Sequence, residues 1–391
     1  MTTHNTQQYY KEKNQQIVDE ITLTKNLAKN TTLLYIQTLS QYSTYHQQTM
    51  QQLLDEADNE EENGIRMKKR KIKNRLLTYK QHLTQQQKQP TTINTRLSVI
   101  QATYKFYEIE TPHIPQVQNT THEVIEDIPT KQHIRTALET TNNLGLQAII
   151  LFMSSSGTSR NEALSITIQD FIQATKQYHH ETTIENVINT LQQQNNVIPT
   201  FQLYRQKTHY PYITFCSPEA TQKILTYLQH RINHEFYKAG MVPTSVFTTN
   251  LDDKLFHFSH GALNKHFSRL NDKLGWGWKG TRRFFHPHAL RKFFATELLK
   301  SDLDSMTIDF LSGRRISKTH EAYFKADPQK LKQKYMMFMN NLMINEEVVY
   351  NEITNKQLEE LEHYRKKEKR RDKKIMELEQ MLQRYIDLTS D

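Results

Sequence analysis

A single cysteine, Cys216, is all the thiol that the 391-residue chain contains. That excludes an internal disulfide and any cysteine-rich zinc site. Long apolar runs are missing too. None approaches the roughly 20 residues that a membrane-spanning helix requires, and the segment Met1 to Ile17 is too polar for a secretory signal. The expectation is a cytoplasmic protein with no membrane segment. Hydrophobic residues make up only 36% of the chain and the mean hydropathy is −0.77, so the cores must be modest and much of the surface solvated. Acidic residues are outnumbered, 42 against 51 Lys and Arg, leaving a net charge of +9. Such a balance favours a polyanionic partner, because cations placed at phosphates release condensed counterions. Charge alone does not separate DNA from RNA or from an acidic membrane. The histidine pairs His286-Pro287-His288 and His257-Phe258-Ser259-His260 lack a carboxylate or cysteine pattern beside them, so neither a metal nor another cofactor is expected.

The length allows two domains and an appended element. Residues 1–20 are polar and read as a mobile start. Residues 21–118 carry helical patterns: one opens at Thr31-Thr32-Leu33-Leu34, with threonine available as an N-cap, and another covers Ile72 to Leu83. From Thr92 to Tyr107, the residues Ile93, Leu97, Ile100, Tyr104 and Tyr107 recur three or four apart and mark one buried face. An acidic run, Asp55 to Glu62, reads as a solvated loop and gives way to the basic stretch containing Arg66, Lys68, Lys69, Arg70, Lys71 and Lys73. Those charges either compensate one another or face a nucleic-acid backbone. Thr111-Pro112-His113-Ile114-Pro115 breaks the helical pattern and begins a linker.

Residues 119–345 form the second expected domain. There the apolar run Ala148 to Met153 precedes a small-residue turn, alternation over Phe201 to Phe215 reads as a β-hairpin, and His179 to Asn196 is a polar, glutamine-rich insertion without assigned role. Residues 346–391 contain no Gly or Pro after Asn355, and Leu361, Tyr364, Ile375, Leu378, Leu382 and Tyr385 fit heptad positions. A solvated charged helix and a coiled coil both suit that pattern. The fold class expected is mainly α with a small antiparallel β-sheet.

Three fragments carry chemistry. Arg160 follows the turn Ser156-Gly157-Thr158-Ser159; His288-Ala289-Leu290-Arg291 supplies a second arginine with a histidine; Tyr323 lies downstream of Leu311-Ser312-Gly313-Arg314. A phosphodiester resists attack because its anionic oxygens repel nucleophiles and its alkoxide leaves poorly. Two guanidiniums can grip the oxygens and stay charged at any working pH. A phenol with a pKa near 10 in water can attack if cations favour its phenolate. The loop Trp276-Gly277-Trp278-Lys279-Gly280-Thr281-Arg282-Arg283 adds Lys279, Arg282 and Arg283 as candidates for the DNA backbone.

In order and wording these fragments resemble the tyrosine recombinase (phage integrase) family, in particular its archaeal-type integrases, over roughly residues 20 to 345. The resemblance implies a helical core-binding DNA-clamp domain before a catalytic domain, double-stranded DNA as partner, and a homotetramer on paired sites. It implies a DNA integration and recombination enzyme of a mobile element or virus that forms a 3′-phosphotyrosine without metal or ATP. Arg160 and Arg291 would hold the non-bridging oxygens, and Tyr323 would attack, standing at the family distance after Gly313-Arg314. Lys207 on the hairpin would protonate the leaving 5′-oxygen. His288 would donate to a phosphate oxygen or take the tyrosine proton. Arg314 stands where many relatives carry histidine or tryptophan. Tyr335, the chief competitor for the nucleophile, sits in an amphipathic stretch and reads as packed. A catalytically silent DNA-binding protein, a type IB topoisomerase-like enzyme and a metal-dependent nuclease are the rival readings.

Overall fold

The computed structural model describes residues 3–118, 127–205, 208, 210–232 and 250–345, apart from the side chains at 3–5, 323 and 326. The chain divides into two compact units, 1–123 and 124–391. Among the described residues no helix is long and apolar enough to cross a membrane.

The first unit is helical: α1 (Thr3–Lys13), α2 (Gln15–Lys25), α3 (Lys29–His46), α4 (Met50–Glu62), α5 (Lys71–Gln85) and α6 (Pro90–Phe106). Within the start expected to be mobile, the described residues from Thr3 onward are helical, in α1 and the first half of α2. Tyr10, Ile17 and Val18 are buried there, so the polar composition hides an apolar face of few residues. Helix α3 begins at Lys29, two residues ahead of the expected Thr31, and its N-cap residue Ala28 offers no side-chain cap. The acidic run is the outer part of α4, started by a capping box between Thr49 and Gln52 and anchored through Met50, Leu53, Leu54 and Ala57. Along α6, Ile93, Leu97, Ile100 and Tyr104 are buried as the periodicity predicts. Tyr107 is past the helix end, where its hydroxyl donates to Glu20 at 2.6 Å.

The second unit is built round α8 (Leu144–Ser156), preceded by α7 (Lys131–Thr140). Every α8 residue from Gly145 to Ser156 except Gln147 is buried. After it come α9 (Arg160–Ser165), α10 (Ile168–Thr175) and α11 (Ile184–Gln192). Helix α11 lies inside the glutamine-rich segment and buries Ile184, Val187, Ile188 and Leu191. Strands β1 (Thr200–Arg205) and β2 (Tyr210–Phe215) pair antiparallel, with Phe201 opposite Thr214 and Arg205 opposite Tyr210. Next come α12 (Pro218–Ile232), α13 (His260–Lys273), the short antiparallel pair β3 (Trp278–Lys279) and β4 (Arg282–Arg283), then α14 (Pro287–Lys300), α15 (Ser305–Leu311), α16 (Lys318–Ala326) and α17 (Pro328–Phe338). Helices α12 and α14 both pack on α8. The expected C-terminal helix or coiled coil, 346–391, lies outside the described residues.

Candidate active site

Helix α8 ends where Gly157 adopts φ +67°. After that turn Ser159 caps α9. Its backbone N–H donates to Glu162 Oε2 at 2.7 Å, and Glu162 N–H donates back to Ser159 Oγ at 3.4 Å. Arg160 is therefore the first residue of a helix whose start is held at both ends of a capping box. Its Nη1 donates to Asn264 Oδ1 on α13 at 2.7 Å. Its Nε is buried and finds no hydrogen-bond partner among the described residues.

Arg291, on α14, is only 4% exposed. Its Nη1 donates to the carbonyl of Gly157 at 3.0 Å and lies 3.5 Å from Glu162 Oε2. Burial pulls its pKa below the ordinary guanidinium value, while Glu162 works in the opposite direction. Two arginines 131 positions apart in the chain thus share one turn: Arg160 issues from it and Arg291 grips it. Glu162 is the hub. Tyr212 donates its hydroxyl to the same Oε2 at 3.1 Å, and Arg205 Nε stands 4.0 Å from Oε1.

A groove of about 550 Å³ opens beside this turn, lined by Ser159, Arg160 and Asn161, by Asn264 and Ser268 of α13, and by Arg282, Arg283, His286 and His288. His288 presents an exposed edge to it. Partial desolvation, then the neighbouring Lys292, His286, Arg291 and Arg282, lower its pKa to about 4. The imidazole is neutral throughout the neutral range and can accept a proton or donate one N–H, but carries no charge. Burial disfavours the charged imidazolium first, and protonation would also add a cation among cations, so both effects act downward. A nuclear magnetic resonance titration of the DNA-free protein should find the His288 midpoint near 4, and a phosphate held in the groove should raise it. A midpoint at the ordinary histidine value in the free protein would contradict this electrostatic picture.

The remaining expected residues are distributed as follows. Arg314 is half-exposed and its Nη1 donates to Asp309 at 2.8 Å. Tyr323 lies on α16, and its side chain is outside the described residues, as is Lys207. Tyr335 is fully buried and donates to the Ser155 carbonyl at 2.8 Å, so it is a packing residue. Tyr212 is equally buried, and burial followed by Glu162 holds its hydroxyl well above the ordinary phenol pKa.

Among the basic residues read as DNA contacts, Arg66, Lys68, Lys69 and Lys73 are exposed. Arg70 is turned inward, its side chain 10% exposed, on Glu61 at 2.9 Å. Lys71 pairs with Glu56 at 2.9 Å. Arg282 is exposed at the groove. Lys279 stands 3.4 Å from Asp127. Arg283 makes a two-point bond to Asp272, at 2.7 and 2.9 Å, and its guanidinium lies over the Trp278 ring at 4.7 Å. For Arg70 and Lys71 the partners come from the acidic run, the compensating alternative of the sequence, whereas Asp272 is brought to Arg283 by folding.

Glu162, Arg205 and Asn264 were not anticipated, and His286 stood out only as half of a histidine pair. Only Glu162 had a local signal, the Ser159-to-Glu162 capping pattern. His286 caps α14 without a side-chain bond to it.

The sequence profile described as the phage integrase family matches residues 119–330. No curated protein sequence matches the chain. Among solved structures, the XerA recombinase is 15% identical, with 84% of this chain and 98% of that one covered, at a TM-score of 0.32. The Tn1549 transposon integrase with transposon right-end DNA is 12% identical, covering 81% and 99%, at 0.46. The integrase from mycobacterium phage Brujita is 12% identical, covering 88% and 96%, at 0.34.

Proposed function

The chain belongs to the phage integrase family and is a site-specific tyrosine recombinase, and from that premise we propose how its residues divide the reaction. Duplex DNA lies over the groove at the start of α9, with one phosphate between Arg160, Arg291 and His288. The arginines stabilise the extra charge of the pentacoordinate transition state. Tyr323 attacks phosphorus as its phenol proton passes to the neutral His288 imidazole, and the bond to the 5′-oxygen breaks while Lys207 gives that oxygen its proton. A 3′-phosphotyrosine and a free 5′-hydroxyl result. Because the new bond is again a phosphodiester, a 5′-hydroxyl from a second strand can reverse the step without ATP. Arg314 adds a further cation. The observation that carries this reading is the shared turn: Arg291 holds the Gly157 carbonyl three residues before Arg160, and Arg160 and His288 face one groove.

Arg66, Lys68, Lys69, Lys73, Lys279 and Arg282 supply phosphate contacts that position the protein without reading bases. Lys71, 63% exposed beside Glu56, and Arg283, which lines the groove, add to these contacts, whereas Arg70, turned inward on Glu61, supports its own unit. The first unit is the DNA-clamping domain, and four copies assemble on two paired duplexes. Arg314, in the place of the more usual histidine or tryptophan, supports an archaeal mobile element or virus as the setting, with the protein bound to DNA inside the cell.

The test is adduct formation in EDTA between the purified protein and labelled duplex from the ends of its own element, read on a denaturing gel. Wild type should give a protease-sensitive covalent band, and Tyr323→Phe none. A band that persists in the variant moves the nucleophile elsewhere. No band from either protein while both bind DNA favours the silent DNA-binding reading, and cleavage without exchange between two labelled sites favours the topoisomerase one.

A further inference from the structure

We infer that Arg205 is a positioning residue that ties the loop entering α16 to the turn that starts α9. The inference goes beyond the roles above and rests on them for which groups react. Arg205 ends β1, and its side chain is 27% exposed. Its Nη1 donates to the Gly313 carbonyl at 2.7 Å, and its Nε faces Glu162 Oε1 at 4.0 Å. One guanidinium therefore spans two parts of the site that lie 151 residues apart, Glu162 and Gly313.

A second tether runs in parallel. Gly313 has φ +66°, and a Cβ there would sit 2.7 Å from the Tyr212 ring. The backbone of Gly313 thus lies directly on that ring, whose hydroxyl ends on the same Glu162 carboxylate. Among the described residues, the backbone bonds at Gly313 run to its own helix, Gly313 N–H to Phe310 O and Arg314 N–H to Asp309 O, both at 2.8 Å, and farther along Lys325 of α16 lies over the Tyr210 ring of β2 at 5.5 Å. Its hold on the arginine turn comes from Arg205 and Tyr212, both on the hairpin. Arg314 is the next residue, and α16 with Tyr323 begins five positions after Gly313. The distance between nucleophile and phosphate depends on that loop, and misplacement of about 1 Å costs on the order of 100-fold in rate. A lysine could make one of the two contacts of Arg205, but its single ammonium lacks the fork needed for both.

Two measurements on the full chain test this. In DNA-free protein, Arg205→Gln should speed hydrogen exchange over residues 313–326 by roughly tenfold, the loss of one hydrogen bond, and leave α8 unchanged. Unchanged exchange overturns the inference whatever the enzyme does. With the duplex used for adduct formation, Arg205→Gln should cleave about 100-fold slower at unaltered DNA affinity and melting temperature, and Arg205→Lys should recover part of the rate. Placing a neutral methylphosphonate at the mapped cleavage position separates positioning from phosphate contact. It should relieve Arg160→Ala, whose cation is no longer needed, and leave Arg205→Gln slow. Relief of Arg205→Gln, or a wild-type rate on ordinary DNA, overturns the inference. Failure to relieve Arg160→Ala counts against the arginine roles proposed above, and the exchange result stands apart from it.

Discussion

Arg291→Ala should lower covalent adduct formation by about 100- to 1,000-fold and also destabilise the catalytic unit, whereas Arg160→Ala should do only the first. Both changes remove a cation from the phosphate, and removing one preorganised donor costs about 100- to 1,000-fold in rate. The two differ in what is left behind. Arg291 is 4% exposed, and deleting it strands the Gly157 carbonyl and takes the closest cation from the buried Glu162. Breaking a buried ion pair from one side costs about 3–5 kcal/mol. The lower end applies, because Glu162 retains the Ser159 N–H and the Tyr212 hydroxyl. Arg160 gives up a bond to Asn264, which can turn to water, so its loss should cost under about 1 kcal/mol. Urea unfolding of the two variants beside wild type decides it. Equal midpoints would mean that Arg291 serves only the phosphate and that Glu162 needs no guanidinium.

That asymmetry was invisible in the sequence. Both arginines stood out because each follows a recognisable small-residue or histidine box, and the hairpin and the buried face of α6 followed from period 2 and period 3.6. The boxes say which residues meet, and the resemblance says in what order. They do not say which arginine is solvated. That depends on Glu162, a carboxylate whose local pattern marks it as a helix cap and whose partners Arg205, Tyr212 and Arg291 are distant in sequence. For Arg70 the compensating reading of the acidic and basic runs holds, through Glu61, while the Asp272 partner of Arg283 is supplied by folding. The helices not anticipated in the N-terminal stretch and in the glutamine-rich segment share another cause. In α1 and α2, as in α11, a few apolar residues form a stripe within glutamine- and asparagine-rich sequence. Average composition then reads as solvated while Tyr10, Ile17, Val187 and Leu191 are buried.

Gly157→Ala should be the most damaging single-methyl change in the site. The residue caps α8 at φ +67°, and an added Cβ would lie 2.4 Å from Cδ1 of Phe294. The left-handed conformation costs an L-residue about 1–2 kcal/mol, and forcing a core ring aside about 1–3 kcal/mol more. Together they amount to about 2–5 kcal/mol. Phe294 stands on α14 one turn beyond Arg291, and the Gly157 carbonyl is what Arg291 holds. Relief of the clash by moving either the turn or the helix shifts one arginine relative to the other. The cleavage rate should then fall by about 100-fold even where the protein remains folded. Gly261→Ala is the matched control: it lies in the first turn of α13, at an ordinary φ, with nothing within 4 Å of the new methyl. It should be neutral or stabilise by up to about 1 kcal/mol. If Gly157→Ala melts and cleaves like wild type, the turn is soft, and the rigid sharing of one backbone carbonyl between the two arginine-bearing elements cannot be what aligns the site.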